Sequence, residues 1–164
     1  NHPSDISNTY LLYRKKYNGF LIEPNPELCN LLRTFRSKDI VLNLGIANET
    51  SVLPFYISKT PVRSSFDYSY FEKNQGMLDK VIYIPTMKID EIFKEMNIES
   101  IGILSIDVEG WNRIAIKSAK NILKMVHIIC LEYDNAIEKE EMINFLNDFS
   151  LVEDNGCNLI FARR

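Results

Sequence analysis

The chain has 164 residues, a net charge of −3, 46% hydrophobic and 25% charged residues, enough for one compact domain with a sizeable core. The acidic balance excludes a broad nucleic-acid footprint, which needs a basic surplus. No apolar run is long enough to span a bilayer. Cys29, Cys130 and Cys157 are widely spaced, form no C-x-x-C pair, and find no zinc pattern with His2 and His127. An odd cysteine count without a framework fits a reducing, cytoplasmic setting, and no metal site is predicted.

In chain order, Ser7 opens a helix over residues 8–17 with Tyr10, Tyr13 and Tyr17 on one face, stopped by Asn18-Gly19. Phe20-Leu21-Ile22 is a short buried strand ending at Glu23-Pro24. Asn25 caps the next helix, with Pro26 in its first turn and Leu28, Leu31, Leu32 and Phe35 at i, i+3, i+4 and i+7. Strands are predicted over residues 40–46, 52–57 and 81–84. The polar and aromatic stretch 58–80 between the last two reads as a lid or a disordered insertion. Its Phe66, Tyr68, Tyr70 and Phe71 would suit stacking on a ligand or packing on a partner subunit.

Ile89, Ile92, Phe93 and Met96 mark another helix, and residues 101–108 a strand with Asp107 near its end. A helix follows through Ala119, then a strand over 126–131 ended by Glu132. His127, inside that strand, and Cys130 read as core residues. Met142, Phe145, Leu146 and Phe149 mark a last helix. Leu151-Val152 and Leu159 to Ala162 flank Asp154-Asn155-Gly156, the signature of a terminal antiparallel hairpin. Strands alternating with helices, several of them continuously apolar, predict one α/β domain over 1–164 with a mostly parallel sheet and helices on both faces.

Ligands of open parallel sheets bind at the carboxyl ends of the strands. The polar residues there are Glu23, Asn48 and Glu49, Asp107 and Glu109, and Glu132 and Asp134. Glu23 suits a ribose diol, which offers two hydroxyl donors to one carboxylate. Its other reading is a solvated strand-end acid, and dinucleotide dehydrogenases use the same device. Asp107 could orient a substrate hydroxyl or an amine, and Glu109 could accept a proton, with Gly110 allowing a sharp turn. The plainer reading is that both acids favour the N-terminus of the following helix. Trp111 reads as an apolar wall or as helix packing.

Several segments together resemble the FkbM family of methyltransferases. Asn1-His2-Pro3 and Ser7-Asn8-Thr9-Tyr10 look like the tail of its first motif, and Phe20-Leu21-Ile22-Glu23-Pro24-Asn25-Pro26 like its second. Asn43-Leu44-Gly45-Ile46-Ala47 resembles the third-strand segment, Ser64-Ser65-Phe66 a serine-rich loop, and Ile84-Pro85-Thr86-Met87 the stretch before the next helix. Leu104-Ser105-Ile106-Asp107-Val108-Glu109-Gly110 is the most specific match.

The resemblance implies a Rossmann-like class I methyltransferase fold, S-adenosylmethionine as cofactor, and methyl transfer to a hydroxyl oxygen of a sugar, glycan or secondary metabolite. It places Asn1, His2 and Ser7 near the methionine end of the cofactor, Glu23 on the ribose, and Ala47 and Asn48 near the adenine. Asp107 would face the transfer site and also bind the cofactor, at its methionine amine, with Glu109 or Glu132 taking the proton. It also implies a first strand and a glycine turn ahead of Asn1, so the sequence is expected to begin after them. Catechol-type O-methyltransferases place magnesium between acids positioned like Asp107 and Glu132; the metal-free reading is preferred. Two rivals stay open: a non-catalytic nucleotide- or protein-binding module on the same fold, and a nicotinamide-dependent oxidoreductase. The latter explains Glu23 but not the segment from Asp107 to Gly110.

Overall fold

In the first half of the chain a buried ion pair ties three local elements together. Arg36 Nε lies 2.7 Å from Asp39 Oδ2, and the other Asp39 oxygen accepts from Gly19 N at 2.8 Å. Arg36 Nη1 also donates to Thr9 Oγ1 at 2.9 Å, so both members of the buried pair make a hydrogen bond beyond the one they share, as burial of charge requires. The computed structural model describes residues 7–73 and 77–164, which fall into two compact units divided between Met87 and Lys88.

The first unit opens with α1 (Tyr10–Arg14), shorter than the predicted 8–17. Lys16 takes a left-handed φ of 70°, which unwinds the helix before Asn18-Gly19 is reached and leaves Tyr17 exposed. β1 (Phe20–Ile22) leads into α2 (Pro26–Phe35), whose cap is the predicted one: Asn25 Oδ1 accepts from Glu27 N, with Pro26 at the start. β1 pairs in parallel with β2 (Ile40–Leu42), Leu21 opposite Val41.

The strand predicted over 40–46 is two strands. After Leu42 the chain leaves β2, and Gly45–Ile46 forms β3 in a different sheet. That sheet has the order β3-β5-β4, with β4 (Ser51–Ser58) antiparallel and β3 parallel to β5 (Leu78–Met87). The stretch between β4 and β5 holds a 3-10 turn (Pro61–Arg63) and α3 (Tyr68–Lys73) rather than an irregular loop. Its aromatics are used in packing. Phe66 tilts against Phe55 at 4.7 Å between ring centres, beside Ile57, Ile82 and Ile84, and Phe71 is buried beneath Tyr56 and Tyr68.

The second unit runs α4 (Ile89–Glu95), β6 (Ile101–Ile106), α5 (Asn112–Ser118), a 3-10 turn (Ile122–Met125), β7 (Val126–Glu132), α6 (Ala136–Phe145), β8 (Phe149–Asp154) and β9 (Asn158–Arg163). Its sheet order is β6-β7-β9-β8: β6 and β7 are parallel, and β9 enters between β7 and β8 antiparallel to both. The terminal hairpin is therefore present, though Phe149 belongs to it and not to the preceding helix. Leu104, Ile106, Ile129, Leu131, Leu159 and Phe161 form one buried face, met by Ile116, Met142 and Leu146 from the helices. Asp90 clamps the far end of α5 by accepting from Asn121 N, Asn121 Nδ2 and Ile122 N at 2.8–3.0 Å.

The architecture is mixed α/β. Among the described residues, parallel and antiparallel strand pairs occur in equal number, three of each, so a mostly parallel sheet is not what these pairings form. His127 is exposed at the start of β7 rather than packed in the core, and Cys130 is only half-buried on the sheet face opposite Ile129 and Leu131. No described helix is long and apolar enough to cross a membrane.

Candidate active site

The parallel register of the second unit sets Ile106 opposite Leu131. The residues one step on, Asp107 and Glu132, leave the carboxyl ends of β6 and β7 side by side. The chain then reverses at once. Glu109 and Gly110 both adopt left-handed conformations, φ 37° and 81°, and Trp111 N closes the turn on Val108 O at 3.0 Å. For Gly110 that conformation is free; for Glu109 it carries steric strain. The turn swings the Glu109 carboxylate back, so that an oxygen each from Asp107, Glu109 and Glu132 all lie within 4.8 Å of one another.

Asn112 holds this turn from below. It is fully buried, and its Oδ1 accepts from Val108 N at 2.8 Å. Past Glu132, Asn135 caps α6 by accepting from Glu138 N, while Glu138 Oε2 accepts from Asp134 N at 2.9 Å, a reciprocal arrangement that fixes the exit of β7.

Crowding the acids has an electrostatic result. Burial, then a hydrogen bond shared with Asp107, then the charges of Asp107, Glu109 and Asp134 push the Glu132 carboxyl up to about 8. Its Oε2 is shielded from water and has no hydrogen-bond partner. Glu132 therefore holds its proton beside two further acids, an arrangement suited to binding a hydroxyl and, once Glu132 is ionised, taking its proton. Three carboxylate oxygens are also the donor type that a hard divalent cation accepts, and acidic clusters are equally common without one.

In the first unit the candidate cofactor residues sit at the ends of β1 and β3. Glu23 continues the β1 ladder through its N–H to Leu42 O, and its Oε1 accepts from Asn25 N at 2.8 Å. The Glu23 carbonyl accepts from Cys29 Sγ and from Asn43 Nδ2, each at 3.0 Å. Burial and then the charge of Glu23 push the Cys29 thiol up to about 11, so it stays protonated as a donor. Ala47 is buried and donates its N–H to Met87 O at 3.0 Å, while Asn48 is exposed on the loop that follows. Ser7 begins the turn into α1, its carbonyl accepting from Tyr10 N. Asn1 and His2 lie outside the described residues.

The structure thus unites Asp107, Glu109 and Glu132, and separately places Glu23, Ala47 and Asn48 at strand ends of the first unit. Asn43 and Asn112 were not singled out from the sequence as functional. The one available signal was an asparagine interrupting the apolar run 40–46; Asn112 gave none.

Acids gathered beyond the carboxyl ends of adjacent parallel strands stand where α/β enzymes place their ligand sites. The chain belongs to the FkbM methyltransferase domain family, whose family model matches residues 1–156, and it is a methyltransferase domain. No curated protein and no solved structure shows significant similarity to it.

Proposed function

We propose that this methyltransferase domain uses S-adenosylmethionine and methylates a hydroxyl oxygen on a small molecule or glycan, on a Rossmann-like class I framework in a reducing, cytoplasmic setting. The observation that carries the reading is the meeting of Asp107, Glu109 and Glu132 beyond the parallel pair β6–β7. The donor chemistry of the first unit fits the cofactor: a carboxylate with backbone fixed on both sides, Glu23, is what a ribose diol requires. Ala47 and Asn48 would lie toward the adenine, and Ser7, with Asn1 and His2, toward the methionine end. When bound, the cofactor supplies an electrophilic methyl group on a sulfonium.

The chain's own contribution is positioning and proton removal. Asp107 accepts a hydrogen bond from the acceptor hydroxyl and sets its direction. Glu132, once ionised, takes the hydroxyl proton, and the oxygen that loses it would become the nucleophile for the cofactor's methyl group. Three free cysteines support the reducing setting.

Asp107→Asn tests the assignment. Its amide preserves shape but no longer accepts as a carboxylate. Turnover on a hydroxyl acceptor should fall by about 10²–10⁴-fold, the usual worth of acid–base and positioning groups. Calorimetric affinity for the demethylated product, S-adenosylhomocysteine, should stay within about threefold on the same grounds. Unchanged turnover would remove Asp107 from the site.

A further inference from the structure

Asn43 spends both of its amide protons on two successive carbonyls. Nδ2 donates to Glu23 O at 3.0 Å and to Pro24 O at 2.9 Å. Only the NH2 end of the side chain can face two carbonyl oxygens, so hydrogen-bonding chemistry fixes its orientation. The asparagine stands one residue past the end of β2, and Glu23 one residue past the end of β1, its parallel neighbour. The bonds therefore cross from one strand end to the other at the point where the β1–β2 ladder stops.

Glu23 is gripped from a second side. The Cys29 thiol, fully buried in α2, donates to the same carbonyl at 3.0 Å, and Asn25 N donates to Glu23 Oε1 at 2.8 Å. Pro24 has no N–H to share in this stitching and fixes its own φ. Four hydrogen bonds from three donor groups thus hold a three-residue corner, and Asn43 is the one arriving from outside the β1–α2 connection. Removing it frees the peptide planes on both sides of Pro24, and with them the direction in which the Glu23 side chain leaves the strand.

We propose that Asn43 is the positioning residue for Glu23, setting the carboxylate for the two hydroxyls of the cofactor's ribose; this rests on the S-adenosylmethionine reading given above. Asn43 does not touch the ribose itself. Its loss weakens recognition of the diol and leaves recognition of the rest of the cofactor in place.

The test compares two probes by calorimetry, S-adenosylhomocysteine and its 2′-deoxy analogue, on protein that carries the strand and glycine turn expected ahead of Asn1. The wild type should prefer the diol by about tenfold or more, as expected for hydrogen bonds to a charged acceptor. In Asn43→Ala the preference should shrink to within about twofold, through loss of affinity for the diol ligand alone. Glu23→Gln should do the same, and the double variant should lose no further preference.

A purely structural role predicts equal weakening of both probes with the preference intact, and that result overturns the proposal. Should Asn43→Ala fail to fold, Asn43→Ser, whose hydroxyl offers one proton in place of two, carries the same comparison. A wild type that binds neither probe overturns the cofactor reading itself. A wild-type preference that persists in the folded variant overturns only the role of Asn43.

Discussion

Held up at about 8, the Glu132 carboxyl keeps its proton through most of the neutral range, and both activity and stability should register that. As the proton acceptor it works only when ionised, so kcat/KM for a hydroxyl acceptor should rise with pH and level off above about 8. Glu132→Gln should lower the plateau and abolish that rise. Stability runs the other way. The unfolded chain releases this proton near the ordinary value of 4.5, and the folded chain holds it to about 8. Between those values folding takes up a proton, so this group's contribution is complete at low pH and is lost as pH climbs through the window. The loss is at most about 1.4 kcal/mol per pH unit for a single proton. Thermal melts from pH 4 to 9 should therefore show a downward slope in the wild type that is shallower in Glu132→Gln. Parallel slopes would show that the cluster does not hold the proton.

Among the elements, β3 is placed by a contact that tolerates no side chain. A methyl group on Gly45 would stand 2.3 Å from the ring of Phe66 and 3.1 Å from the Thr86 methyl. Gly45→Ala should cost about 1–3 kcal/mol, the usual penalty for overpacking, read from denaturant melts. Phe66→Leu in the same chain should recover part of that cost, since the smaller side chain vacates the space. Equal destabilisation in the single and double variants would place the strain elsewhere. This contact also shows where sequence reading stops. α2 was legible end to end because its cap, proline and apolar spacing are all local. The break in residues 40–46 was not, because the Asn43 amide bonds to residues about twenty positions earlier. Likewise the placing of residues 61–73 comes from Phe66 and Phe71 packing on β4, a partnership that period and turn signals do not encode.

Across the whole molecule, alternating strands and helices were enough to read an α/β chain, and the Asp107–Gly110 segment was enough to mark a candidate site. The grouping of strands into sheets was not readable, because pairing depends on partners far apart in the chain. The three-acid cluster emerges only once β6 and β7 are in register. Pro54 belongs to this scale too. It sits within β4, an edge strand of its sheet, opposite Tyr83. Around it Val52, Val81 and Tyr83 lie open to solvent, at 59%, 42% and 71% exposure. Ser65 already pairs with Tyr56 further along β4, so the stretch around Pro54 is where another chain could add a strand, and a proline there withholds an N–H from any such ladder. Proline in this place acts as a guard on colloidal behaviour at high concentration, with little bearing on the fold. Pro54→Val should melt within a few degrees of the wild type, a surface-scale change, yet scatter light at concentrations where the wild type stays clear. If it stays equally clear, the edge is guarded by something other than its proline.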